Sequence, residues 1–461
     1  MRSAVLSLLL LGGVAGASEQ VPPPPQRVPL VISGAVLHTV SGAVINDGRM
    51  LIERGRIVAI ASPGEALAVP PDATTLDLGG RHVYPGFVAA NTSLGLVEIS
   101  AVRATIDTTE TGALNPNARA LVAINPDSEV LPVARSNGVL AALAVPDAPF
   151  GGGIAGTSAL VQLDGWNWEE MALEPEAAMH LVMPSMRLNS ELFAPPLDVL
   201  REEVRRLTET RLKLIDDAFN AAKAYAKARV ADATTPTDTR WQAMVPVVEG
   251  RRPLFVHADA LAQMRWALAL GERHGLKLVI VGGQDAARIA ELLRERRVPV
   301  VIAGVHRLPL RREDDIDVSF RLAADLARAG VTFCIARGGD SFSAANERNL
   351  PYEAATAAAY GLARDEALKA ITLYPAQILG VADRLGSLAP GRLANFIVTD
   401  GDPLETTTRI ERLFVQGREV DAGNKQTRLS DKYRQRYQQA GPADILAEES
   451  FSKAKSSNRA P

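Results

Sequence analysis

Two neutral oxygen donors stand at the end of a short apolar run. Phe87-Val88-Ala89-Ala90 reads as a strand, and Asn91 and Ser93 follow it two residues apart. Alternate side chains of a strand share a face, so the Asn91 amide and the Ser93 hydroxyl are aimed at one site. Such a pair can hydrogen-bond a polar ligand. It is a poor holder of zinc, whose catalytic sites use about three imidazole, thiolate or carboxylate ligands. His257 ends another strand-like run, Leu254-Phe255-Val256, and Asp340 follows a third, Phe333-Cys334-Ile335-Ala336, across Arg337-Gly338-Gly339. His257 has two readings, a hydrogen-bonded strand-end histidine or a functional imidazole, and a lone histidine does not decide between them. Asp340 could reach back to the same site through its two glycines. His306 and Arg307, after a further strand, either bind an anion or belong to a solvated loop.

Other polar groups carry less chemistry. Glu98, Asp107 and Glu110 read as a solvated loop after the first strand. Gly151 to Ser158 is glycine-rich but lacks the lysine of a phosphate loop and the surroundings of a nucleophilic serine, so it reads as a turn or as closely packed backbone. Trp166 and Trp168 form either a pocket wall or a surface anchor. His38, His82, His180 and His274 form no ligand pair by their spacing.

The elements that must position these residues alternate along the chain. Phe87–Ala90, Leu140–Val145, Leu254–Val256, Lys277–Val281, Val298–Ile302 and Val331–Ile335 are candidate strands between helical stretches, the pattern of a parallel α/β barrel. Leu197 to Val230 reads as one long amphipathic helix, with Leu207, Leu214, Ile215 and Phe219 on its buried side. A second helix runs from Asp285, as N-cap, to Arg296. Short strands spaced by glycines fill 28–84 and return at Ala394–Val398 and Arg412–Val415, so the two ends of the chain build one small β-sandwich domain.

The composition is that of an ordinary globular protein: 461 residues, 47% hydrophobic, 22% charged, net charge -3. Its basic residues are scattered, which excludes a nucleic-acid platform. Arg2, the apolar run Ala4–Leu11 and Ala15-Gly16-Ala17 before Ser18 read as a secretory signal over 1–17. The run is too short to span a membrane comfortably. Export to a periplasm or beyond follows as an expectation, with no membrane span after signal removal. The single Cys334 cannot form an internal disulfide. A proline-rich, solvated linker covers 18–27, and a polar tail covers 422–461.

Several segments together resemble the amidohydrolase superfamily, most closely its imidazolonepropionase-like exported members. They include Asp77-Leu78-Gly79-Gly80-Arg81-His82-Val83-Tyr84-Pro85-Gly86-Phe87, Pro253-Leu254-Phe255-Val256-His257-Ala258 and Arg384-Leu385-Gly386-Ser387-Leu388-Ala389-Pro390-Gly391-Arg392. The resemblance implies a TIM-like (β/α)8 barrel over 85–385 with the composite β-sandwich of 28–84 and 386–421. It implies hydrolysis of an amide or other C–N bond by a water activated on a divalent metal such as zinc. It also implies His-x-His after the first strand, histidines after the fifth and sixth, and an aspartate after the eighth. His257 and Asp340 match, as catalytic and metal residues. Asn91-Thr92-Ser93 stands in place of the histidine pair, and Gly282-Gly283 where another histidine is expected. The expectation is therefore a pocket of Asn91, Ser93, His306 and Arg337 from which the standard metal is absent. The alternative function is a non-catalytic subunit that binds a small molecule or peptide, self-associates, or supports a catalytic paralogue.

Overall fold

A computed structural model describes residues 20–186 and 197–439. The signal-like segment 1–17 and the tail beyond 439 lie outside the described residues. Of the tail, Lys425–Gln439 is a helix with no buried residue.

The glycine-punctuated segments at the two ends form one eight-stranded sheet. Its strands are β1 (Leu30–His38), β2 (Val44–Glu53), β3 (Arg56–Ala61), β4 (Thr74–Asp77) and β5 (His82–Pro85) from the first segment. The barrel contributes β6 to β13, named below. The chain then returns as β14 (Phe396–Thr399), β15 (Ile410–Val415) and β16 (Arg418–Val420). The order is β16-β15-β14-β5-β1-β2-β3, with β4 also on β1. β1 takes two parallel partners on one edge, β4 along Leu30–Ser33 and β5 along Val36–Leu37. Register shifts between Ile32 and Leu37 separate the two pairings, and Gly34 between them adopts φ +61°, a conformation open to glycine without steric cost. Antiparallel pairing of β14 with β5 ties the chain's ends together. Ile32, Leu37, Met50, Ile52, Phe396 and Phe414 fill the sheet's own core, the last two rings stacked at 4.4 Å.

The stretch expected to be a solvated linker is docked on this sheet. Gln26 donates to the Ile52 carbonyl (3.0 Å) and accepts from the Gly55 N–H (2.8 Å), and Arg418 donates to the Pro23 carbonyl (2.9 Å). Prolines cannot join a ladder, but an extended backbone with free carbonyls is a good acceptor surface.

The barrel strands are β6 (Phe87–Thr92), β7 (Val139–Ala144), β8 (Gly153–Gln162), β9 (Ala172–Val182), β10 (Leu254–Ala258), β11 (Leu278–Gly282), β12 (Val300–Ala303) and β13 (Phe333–Ala336). They lie in sequence order, parallel except β8, which runs against both neighbours. β13 and β6 are joined through the chain between them: Ile335 donates to the Ala370 carbonyl and Val88 to that of Ile371, each at 2.9 Å. Val88, Leu143, Phe255, Val281, Val301 and Cys334 fill the interior, which is packed and not a pore.

β8 and β9 are absent from the sequence-based strand set because glycines disguise β8. The run Gly151–Ser158 enters this strand, and a Cβ on Gly156 would come 2.6 Å from the Ala118 carbonyl oxygen. The glycines there permit close backbone approach.

Two helical expectations are corrected. Leu197–Ala231 is one helix with Ile215 and Phe219 fully buried, but Leu207 and Leu214 face solvent at 56% and 38% exposure. The i, i+4 pair sets the buried face, and Leu214 lies about 100° around the helix from Ile215. Asp285 does not cap the following helix, which begins as a 3-10 turn over Ala286–Ile289. Its carboxylate instead accepts from the Leu261 N–H (2.9 Å) and pairs with Arg311 (2.5 Å), a charge-assisted alternative to capping.

Candidate functional site

The C-terminal ends of the parallel strands surround a cavity of about 420 Å³. Four of the expected residues line it: His257, His306, Arg337 and Asp340. Asn91 and Ser93 sit against the wall behind it. Asn91 Nδ2 donates to the Arg337 carbonyl and Ser93 Oγ to the Asp340 carbonyl, each at 3.0 Å. A register shift between Ala89 and Thr92 produces this arrangement. Val88 and Ala90 belong to the interior cluster, and Thr92 pairs in register with Ala144 of the outer layer. The extra residue thus puts Ala90 and Asn91 in succession on the inner side, and Ser93 with them. Gly339, at φ +78°, is the neighbour that makes room: a Cβ there would come 2.9 Å from Asn91 Cγ.

His257 and His180 form a pair, contrary to the reading from spacing. His180 projects from β9 beside β10, and its Nδ1 lies 2.9 Å from His257 Nε2. His180 is fully buried, and its Nε2 has no partner. Loss of hydration lowers both rings: His257 falls to about 4 despite the opposing Asp259 charge, and His180 falls well below the ordinary value, with His257 adding to the effect. Two neutral imidazoles therefore share one hydrogen bond at neutral pH. His38 and His82 form a similar contact (2.9 Å) in the small sheet.

Asp340 is engaged by its own helix. Its Oδ1 accepts from the N–H groups of Phe342 (2.9 Å) and Ser343 (3.1 Å), and its Oδ2 from Ser343 Oγ (2.5 Å). Burial pushes its carboxyl upward, but the Ser343 hydroxyl and those N–H groups outweigh burial and hold it below the usual carboxylate range. Asp-Ser-Phe-Ser is an N-cap sequence, and the cap places hydrogen bonds on both oxygens.

Three groups not singled out from the sequence complete the wall. Glu353 pairs with Arg337, and its Oε2 accepts from the N–H groups of Val305 (2.6 Å) and His306 (2.9 Å). His306 Nδ1 lies 3.3 Å from Glu353 Oε1. Asp259, one turn of the strand pleat beyond His257, takes both guanidinium nitrogens of Arg307 (2.8 and 2.7 Å). Gln263 joins the same wall through the Asp259 N–H (3.1 Å). His257-x-Asp259 follows strand periodicity and was readable as a shared face; Glu353 lies on a helix remote in sequence and was not. Arg337 Nε is buried and without a partner.

Residues 257–421 match the model of the amidohydrolase family. The amidohydrolase tasK of Hapsidospora irregularis is 23% identical over 399 residues, 80% of this chain, and the chain spans 39% of that relative's length. A crystal structure of an amidohydrolase from Thermotoga maritima MSB8 is 26% identical, with a TM-score of 0.74 over 85% of this chain and 99% of the other. The family model, the relative and the Thermotoga structure together support the amidohydrolase superfamily. An adenosine deaminase from Xanthomonas campestris, crystallised with bound zinc, shares the fold at 16% identity and a TM-score of 0.50, over 90% of this chain and all of the other.

The amidohydrolase barrel implies a divalent metal at its mouth, and the donors here can be weighed against one. Among the described residues, no three or more His, Cys, Asp or Glu side chains converge as a metal-holding group. Asn91 and Ser93 offer neutral oxygens already oriented by their own donor bonds to carbonyls. The ring nitrogen of His257 that meets His180 and both oxygens of Asp340 are also in use. Among the described residues no helix is long and apolar enough to cross a membrane.

Proposed function

We propose that this amidohydrolase-superfamily protein is exported and uses its barrel mouth to bind a small polar molecule or short peptide, without the divalent metal of its relatives. The single observation that carries this reading is the engagement of His257 by His180 and of Asp340 by its own helix, beside Asn91 and Ser93. Those donors do not fit a divalent metal. A catalytic site needs about three anionic or imidazole ligands and an open position, and binding must repay deprotonation and desolvation of each. What remains at the mouth suits recognition. Glu353 holds Arg337 and His306, and Asp259 holds Arg307, so the charged groups of the mouth are fixed in place. An accessory role beside a catalytic paralogue is the cellular form this reading takes.

A second reading is metal-assisted hydrolysis of an amide or other C–N bond, centred on His257 and Asp340. The 26% identity to the Thermotoga amidohydrolase across 85% of the chain favours it. The two are separated by metal analysis of dialysed protein, together with turnover of an amide and carbamate panel. The expected result is substoichiometric metal, and no turnover that chelation or His257→Ala removes. Stoichiometric zinc, with turnover lost on chelation and restored by zinc, would replace the binding reading with the hydrolytic one. Export rests on Arg2, the apolar run and Ala15-Gly16-Ala17. Expression in a bacterium should yield periplasmic protein with Ser18 at its N-terminus; cytoplasmic protein that retains residues 1–17 would sink this part.

A further inference from the structure

We infer that a cleft at the floor of the barrel, opposite the mouth, is a second ligand site that takes a small organic anion with an apolar body. The cleft has a volume of about 950 Å³ and opens where β10, β11 and β12 begin, at Pro253, Lys277 and Pro299. His257, Val281 and Ala303, at the other ends of the same strands, line the mouth. The volume lies at the upper end of the roughly 300–1,000 Å³ range of small-molecule sites.

The charges of the cleft do not cancel. Its carboxylates are each taken up by an arginine: Glu174 by Arg384 (3.2 Å), Glu176 by Arg252, and Glu272 by Arg296 (3.0 Å). Lys277 and Arg297 also line it, and among the described residues neither has an acidic partner. Arg297 is in an unusual place. It follows the helix Ala290–Glu295 at φ +53°, the left-handed position that glycine fills without steric cost. The helix dipole favours a cation near that end, but Arg294 and Arg296 already supply one in relaxed backbone. That turn is the helix's own C-terminal stop, closed by the Val298 N–H on the Leu293 carbonyl (2.9 Å), and it sets Arg297 at the edge of the cleft. Leu276, Val298 and Leu379 give the cleft apolar walls beside the two free cations. A carboxylate, sulfonate or phosphate head would pair with Lys277 and Arg297 while its hydrocarbon part covers those walls.

The test uses 8-anilinonaphthalene-1-sulfonate as a fluorescent probe of this chemistry, titrated into the purified protein, with octanoate, octylammonium and inorganic phosphate as competitors. Octanoate should displace it, and octylammonium and phosphate should not. The double substitution Lys277→Glu and Arg297→Glu should weaken probe binding about tenfold, equivalent to about 1.4 kcal/mol. The same charge change at Lys425 and Lys432, on the C-terminal helix outside the cleft, should leave it unchanged. Arg297→Gly should weaken the probe while raising the melting midpoint, since glycine relaxes the left-handed backbone; a loss of binding there is not a loss of fold. Floor variants that bind like the wild type, octylammonium competing as well as octanoate, or phosphate competing as well as octanoate would each overturn the proposal.

Discussion

Glu347→Gln is expected to remove a pH-dependent loss of stability that reaches about 3 kcal/mol at neutral pH. Glu347 is fully buried behind the site, and neither carboxyl oxygen has a hydrogen bond of ordinary geometry. Burial pushes its carboxyl up from 4.5 to about 8, against opposing pulls from the Thr92 hydroxyl and the Arg337 guanidinium. The sign follows from proton counting. Below the unfolded value both states hold the proton, and burial of a neutral acid carries no ionic cost. As pH rises from 4.5 toward 8, the unfolded chain gives up its proton while the folded chain keeps it, so stability falls by about 1.4 kcal/mol per pH unit. Above the folded value both states are ionised and the loss levels off. Glutamine has nearly the same shape and does not titrate. Its unmatched amide could lower stability at every pH, so the decisive quantity is the slope. Urea unfolding of both proteins from acid to mildly alkaline pH should give curves that diverge through this window, the wild type losing ground. Parallel curves would show that Glu347 ionises normally.

Much of the scaffold was legible because β periodicity and glycine spacing report local geometry. The two terminal segments read as one β domain, and six barrel strands stand where apolar runs end in turn residues. His257 and Asp340 could be placed at strand ends for the same reason. What escaped reading depends on contacts between distant segments. The shift between Ala89 and Thr92 is one extra residue, silent in composition, yet it decides that Asn91 and Ser93 both reach the inner side. His180 was read as isolated because its strand carries Glu174-Pro175-Glu176 in its first half, which hides the alternation of Ala178, His180 and Val182. Its partnership with His257 exists only through the parallel pairing of β9 and β10. The capping role of Asp340 was legible in a different way. Asp followed by Ser341 and Ser343 is a recognisable capping sequence, and weighing it would have shown its carboxylate to be engaged.

Removing Asp164 should destabilise the protein by about 3–5 kcal/mol, because it would strand two cations at a buried seam. Asp164 follows β8, and its side chain is nearly inaccessible. Its Oδ1 accepts from Arg135 (3.1 Å), on the barrel side, and its Oδ2 pairs with Arg418 (2.9 Å), from β16 of the terminal sheet. Arg135 also donates to the Leu163 carbonyl (2.8 Å) and to that of Asp421 (3.2 Å). The carboxylate therefore neutralises guanidinium groups from both domains. Desolvation pushes its own pKa upward even against the two arginines, a sign that ion pairing does not fully offset burial. The triad is thus costly to break without being a large net source of stability. Asp164→Ala tests the first half of that statement by denaturant unfolding. The second half is tested by replacing Asp164, Arg135 and Arg418 together with leucine and methionine residues. The triple variant should recover most of the loss, since no unpaired charge remains, although the backbone bonds of Arg135 are forfeited. If Asp164→Ala costs less than about 1 kcal/mol, as an exposed pair would, the seam is hydrated and the two domains are not pinned by this triad.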